Sequence, residues 1–186
     1  MDLITEPYSP VRGEISVPGD KSISHRAVMC ASLATGTSKI KGFLESEDCL
    51  ATIEAFKCLG VKIEKENDVL EITGNGITGL QEYGRPIDLK NSGTSMRLLS
   101  GILAGQNFSS ILIGDESLNL RPMQRITTPL NQMGFSIMAS DKGTPPLKIY
   151  PVEEARAIEY VLPVASAQVK SCLMFASLFA EDETKL

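Results

Sequence analysis

Three short stretches of small hydroxyl, amide or glycine residues each stand just ahead of an apolar run: PGDKSIS at residues 18–24, NSGTS at 91–95 and SAQ at 166–168. A helix N-terminus offers free backbone N–H groups and the positive end of a dipole. With short side chains around it, such a turn can hold an anion. Cations stand beside these turns. Lys21 and Arg26 flank the first, Arg97 follows the second, and Arg121 comes after Asn119 and Leu120. Guanidinium forks and ammonium groups are natural partners of phosphate and carboxylate. Taken singly, Ser22, Ser24, Thr94, Ser95 and Ser166 also read as plain N-caps. Their recurrence at matching positions favours one shared site for a small ligand with several negative charges.

The elements that must position these residues repeat with a period of about 72 residues. The first unit reads as a strand at 14–17, the turn, an apolar helix at 26–34 and a strand at 38–43. A helix at 48–59 and strands at 61–64 and 69–73 complete it. Leu50, Ile53, Phe56 and Leu59 fall at helical spacing and predict one inward face. The second unit repeats the order: a strand at 87–89, a helix at 96–104, a strand at 110–113, a helix at 121–133, and strands at 135–139 and 147–150. Here Met123, Ile126, Leu130 and Met133 share a face, and Pro122 suits a first helical turn. Pro129 predicts a kink or a lost hydrogen bond. A third unit opens with a strand at 158–162 and a helix at 169–180. The helices that follow the turns are apolar nearly all round, which predicts burial on most sides. The other two are amphipathic. Helices clustered centrally with sheets outside, about threefold symmetric and with the third unit cut short, is the expected body.

Composition narrows the function classes. The chain has 186 residues, 42% of them hydrophobic and 22% charged, which suits one folded domain. With 18 Lys and Arg against 23 Asp and Glu, the net charge of −5 argues against nucleic acid. No apolar run approaches a membrane span, and the first dozen residues do not resemble a signal peptide. Cys30, Cys49, Cys58 and Cys172 form no CxxC pair and have one histidine for company, so zinc and dithiol chemistry are not expected. The reading is a soluble, cytoplasmic, metal-independent protein whose thiols are reduced and mostly packed.

Four motifs carry a family resemblance. GDKSISHRA at residues 19–27 resembles the first phosphate-site motif of the 5-enolpyruvylshikimate-3-phosphate synthases, and LKNSGTSMR at 89–97 their LxNxGTxxR segment. GDESLNLRPM at 114–123 is similar to the family's GDxSLxxRPM, and SAQVKS at 166–171 to the third turn of its second bacterial class. The sister family acting on UDP-N-acetylglucosamine shares the fold but not these turns. The resemblance implies an inside-out α/β barrel of repeated βαβαββ units, here two units plus the start of a third. It implies transfer of the enolpyruvyl group of phosphoenolpyruvate to shikimate 3-phosphate by addition–elimination, on the way to chorismate and the aromatic amino acids. No metal or organic cofactor is implied.

Carried over by position, Lys21 is the catalytic residue and contacts both substrates. Ser22 and Arg26 hold shikimate 3-phosphate, and Asn91 supports the turn in which Gly93 brings backbone N–H close to phosphoenolpyruvate. Arg121 holds the phosphoenolpyruvate anion, Ser166 contacts the phosphorylated substrate, and Gln168 reaches both. Arg97 is expected to tie its turn together, and His25 to pack against the helix start. Ala167 stands where other members have Ser. The resemblance also implies that the chain divides into an arm at residues 1–12, packing with a second domain, and an incomplete N-terminal substrate-binding domain at 13–186. The proton-transferring groups are expected in that second domain. The intact enzyme is expected to be a monomer, with no nucleic acid or membrane partner. Alone, the chain reads either as the inactive N-terminal part of the transferase or as a module that only binds a phosphorylated small molecule.

Overall fold

The computed structural model describes residues 3–4, 10 and 12–186. The remaining residues of the expected arm, at 1–2, 5–9 and 11, lie outside the described residues. Unit one contains α1 (Lys21–Leu33), β1 (Thr35–Lys41), α2 (Glu47–Cys58), β2 (Lys62–Glu66) and β3 (Val69–Asn75). Unit two contains β4 (Ile87–Asp88), α3 (Gly93–Ala104), β5 (Ser110–Ile113), α4 (Gln124–Gln132), β6 (Ser136–Met138) and β7 (Leu147–Tyr150), and α5 (Ala167–Ser177) follows.

The three apolar helices begin in the same way. Asp20, Ser92 and Ser166 are their N-caps, accepting from the backbone N–H groups of Ile23, Ser95 and Val169. Each cap satisfies one of the orphan donors of a helix start. The helices therefore start about one turn ahead of the apolar run, and Lys21, Gly93 and Ala167 are their first residues. Gly60 and Gly134, at φ of +83° and +89°, close α2 and α4 in matching places.

The sheets differ in one strand. Unit one forms an antiparallel sheet of order β1-β3-β2, whereas unit two adds β4 in parallel beside β5, giving β4-β5-β7-β6. The strand expected at 14–17 is not formed, and Ile15 and Val17 are 84% and 78% exposed. Between Gly13 and Pro18 the segment offers two apolar side chains and buries neither, so no ladder on the open edge of β1 is stabilised. In the third unit, Glu159 bridges Lys185 in parallel, and the Lys185 N–H donates to the Ile158 carbonyl at 2.9 Å.

The core centres on α3. Met96, Leu98, Leu99, Ile102 and Leu103 are at most 1% exposed, and each contributes about 1.5–3 kcal/mol by leaving water. Gly101 lets α5 approach closely, since a Cβ there would lie 2.2 Å from the Cys172 carbonyl oxygen. Met123, Ile126, Leu130 and Met133 are all fully buried, as their spacing predicts.

Three local expectations are corrected. Leu50 is 41% exposed, because it lies with Glu47, Glu54 and Lys57 on the wet face of α2 while Cys49, Thr52, Ile53 and Phe56 turn inward. The fourth helix begins at Gln124 rather than Arg121, because a 3-10 turn at Leu118–Leu120 hands over to extended backbone and the Met123 N–H donates to the Gly143 carbonyl. Pro122 is thus outside the helix, while Pro129 sits inside it and removes one donor from the ladder. Among the free cysteines Cys49 and Cys172 are buried but Cys30 is exposed.

Candidate functional site

The second turn is knitted to the third and to the loop that follows β5. Arg97 donates to Gln168 Oε1 at 2.8 Å and to the Gly93 carbonyl at 3.3 Å, and Gln168 Nε2 donates to Thr94 Oγ1 at 2.9 Å. Arg121 donates to Asn91 Oδ1, and Asn91 Nδ2 donates to Asp115 at 2.7 Å. That last bond, with the Leu118 N–H, holds the Asp115 carboxyl below its ordinary range. Gly93 is buried at the focus. A side chain there would meet the guanidiniums of Arg97 and Arg121 at 2.9 Å each.

This focus is electropositive. Burial, then the charges of Arg121 and Arg125, lower the Arg97 pKa from its ordinary value. Among the described residues no carboxylate forms an ion pair with Arg97 or Arg121. Two cations held together with no carboxylate in direct contact among the described residues, beside the start of α3, are a ready seat for a carboxylate or phosphate. Asp115 acts on Arg121 only from a distance.

The first turn is more open. Lys21 forms an ion pair with Asp48 of α2, and about half of the Lys21 side chain is exposed. Arg26 donates to Ser171 Oγ at 2.7 and 3.2 Å, which ties α1 to α5, and to the Ser22 carbonyl at 3.1 Å. Ser22 is exposed, and Ser166 Oγ accepts from the Val169 N–H as the cap of α5, which leaves its own proton to donate. His25 is fully buried, with Nδ1 at 2.6 Å from Thr52 Oγ1.

The structure therefore brings Asn91, Gly93, Arg121 and Gln168 into one hydrogen-bonded group, with Arg97 as its link. Lys21, Ser22 and Arg26 form a second group on α1. Sequence reasoning missed Asp48, Ser171 and Asp115, which orient Lys21, Arg26 and Asn91. All three act across elements: Asp115 and Ser171 stand inside the GDESLNLRPM and SAQVKS motifs, and no local signal marks Asp48. A hollow of about 490 Å³ between α2 and the β2–β3 hairpin is lined by Phe43, Leu50 and Ile53 and shares no residue with either group.

Comparison with known proteins places nearly the whole chain in one family. The family model of EPSP synthase (3-phosphoshikimate 1-carboxyvinyltransferase) matches residues 5–186. The chain belongs to the EPSP synthase family. It is 52% identical over 180 residues to the 3-phosphoshikimate 1-carboxyvinyltransferase of Hydrogenovibrio crunogenus, covering 96% of this chain and 40% of that protein. The Methylococcus capsulatus relative is 54% identical over 179 residues, covering 96% and 41%. The α/β architecture matches the EPSP synthase structure from Acinetobacter baumannii with a TM-score of 0.89 at 50% identity, over 92% of this chain and 39% of that one. The chain thus spans about two fifths of the length of the curated relatives it matches. Among the described residues, no helix is long and apolar enough to cross a membrane.

Proposed function

We propose that this chain supplies the N-terminal, anion-binding part of a cytoplasmic enolpyruvyl transferase, which moves the enolpyruvyl group of phosphoenolpyruvate to shikimate 3-phosphate. The observation that carries this reading is the convergence of Arg97 and Arg121 on the buried Gly93, without an ion-paired carboxylate among the described residues. In this reading phosphoenolpyruvate lies over Gly93, where the absence of a side chain leaves room beneath the two guanidiniums, while the Gly93 N–H itself donates to the Asn91 carbonyl at 3.0 Å. Arg121 grips its anion through the guanidinium fork, and Asn91 fixes the direction of that fork. Arg26, Ser22 and Ser166 hold shikimate 3-phosphate, and Gln168 stands between the two ligands.

Lys21 is the catalytic cation. Its ammonium exchanges Asp48 for substrate oxygens and stabilises the charge that develops during addition. Addition joins the shikimate hydroxyl oxygen, which gives up its proton, to the central carbon of phosphoenolpyruvate as the methylene carbon gains a proton. Elimination then expels phosphate and returns that proton. The groups that move it belong to a second domain, which closes over these turns. The same reading makes the body an inside-out barrel of βαβαββ units, assigns residues 1–12 to an arm against that second domain, and makes the intact enzyme a monomer.

The test is turnover by the whole protein with both substrates, following phosphate release, and calorimetric titration of this chain with shikimate 3-phosphate. Turnover, together with binding by this chain that Arg26→Ala abolishes, supports the reading. Saturable binding with no turnover by the whole protein would leave only a binding module and overturn the transferase.

A further inference from the structure

Beneath the two turns, three hydroxyls and an imidazole form a continuous polar chain in the core. His25 Nδ1 lies 2.6 Å from Thr52 Oγ1, which lies 2.7 Å from Ser95 Oγ, which lies 2.6 Å from Ser92 Oγ. All four residues are at most 1% exposed. One consistent order of protons runs along the chain. Ser92 Oγ accepts from the Ser95 N–H at 3.2 Å, so its own proton is free for Ser95. Ser95 then donates to Thr52, and Thr52 to His25 Nδ1, which gives every hydroxyl proton an acceptor. In this order the neutral imidazole carries its proton on Nε2, which meets no hydrogen-bond partner among the described residues. The Asp48 carbonyl, 3.4 Å from Thr52 Oγ1 and 3.5 Å from Ser95 Oγ, is a second acceptor beside the chain. Burial, outweighing the nearby Asp48 carboxylate and reinforced by Lys21 and Arg26, lowers the His25 pKa to about 4 and keeps the ring neutral.

The position of the chain gives it a role. His25 lies one turn beyond Lys21 and next to Arg26 on α1. Thr52 lies one turn beyond Asp48, the partner of Lys21, on α2. Ser92 caps the helix that begins at Gly93. Removing the middle link leaves the buried His25 Nδ1 without its partner, which a low-dielectric core penalises heavily, and leaves Ser95 only Ser92 and the Asp48 carbonyl to bond.

We propose that Thr52 is a positioning residue: through the buried chain from His25 to Ser92 it holds the first and second turns at the separation at which Lys21 and Gly93 serve one ligand set. Thr52 is too buried to touch a ligand, so its effect passes through the turns. The inference rests on the functional reading above.

The experiment uses the whole protein and Thr52→Val, which keeps the shape and removes the hydroxyl. The expected result is a KM raised about tenfold for both substrates and a kcat/KM lowered on the order of a hundredfold, with Thr52→Ser restoring both. A purely structural role would lower Tm and leave KM and kcat at wild-type values. That outcome, or a failure of Thr52→Ser to restore, overturns the proposal. If Thr52→Val does not fold, Ser95→Ala breaks the chain at the next link and is read the same way. If the wild type itself does not turn over these substrates, the functional reading has failed, and titration with inorganic phosphate decides the positioning role. Weaker phosphate binding in the Thr52→Val or Ser95→Ala protein supports it. Equal affinity, or no saturable binding by the wild type, overturns it.

Discussion

The first and second turns occupy the same place in the repeat yet are built on different physics. At the first, the α1 N-cap is Asp20, so the helix start already holds a negative charge, and the next residue carries the long side chain of Lys21. At the second, the cap is the neutral Ser92 and the next residue is Gly93, bare and buried beneath two guanidiniums. The first turn therefore offers side-chain cations: Lys21, half exposed and paired with Asp48, and Arg26, tied to Ser171. The second offers a fixed turn, its backbone N–H groups largely bonded within itself, and a preset pair of charges. A site with one adaptable side and one rigid side can hold two anions of different shape without relying on overall charge, which in this chain is negative.

The sharpest way to break this contrast is to give the second turn a side chain. Gly93→Ala would drive a methyl to 2.9 Å from both guanidiniums. The KM for phosphoenolpyruvate should rise on the order of a hundredfold while that for shikimate 3-phosphate moves far less, as steady-state kinetics on the whole protein will show. Next in size is the support of the rigid side. Gly101→Ala would press α3 away from Cys172 of α5 and cost about 2 kcal/mol in denaturant unfolding. If stability is unchanged, the close approach of these helices does not set the second turn.

Acid tests the first turn's helix. The folded His25 value near 4 lies below its ordinary 6.5, so the unfolded chain binds the extra proton between them. The stability this group contributes is complete above pH 6.5, falls as pH drops to 4, and changes no further below that. The wild-type Tm should fall by roughly 5 °C more than that of His25→Asn across this window in thermal scans. The smallest expected effect is also the most pointed. Asp20→Asn keeps the cap but removes the anion from the start of α1, and shikimate 3-phosphate should bind roughly threefold more tightly. Ser92→Asp should do the reverse to phosphoenolpyruvate. If neither substitution changes affinity, the helix starts are not the anion seats.

Much of this was legible in the residues. Gly60 and Gly134 as helix stops, the apolar face of Met123, Ile126, Leu130 and Met133, and strands at 110–113 and 147–150 follow from local chemistry and spacing, and they stand in the structure. The segment at 14–17 reads equally well as a strand because alternation is a property of the segment, whereas a strand exists only when a neighbour accepts its hydrogen bonds. Leu50 fails for a related reason. Helical spacing defines faces but does not say which face meets the core when a helix is wrapped by several neighbours.

The amino-acid sequence by itself determined the repeat, the three capped helix starts and the cations beside them, because propensity, capping and periodicity act over a few residues. Only the tertiary structure decided that Arg97 and Arg121 meet over Gly93, that Asp48 holds Lys21, and that His25, Thr52, Ser95 and Ser92 form one chain. Those partners are brought together by burial of the α3 core, and no rule of local spacing carries information across that distance.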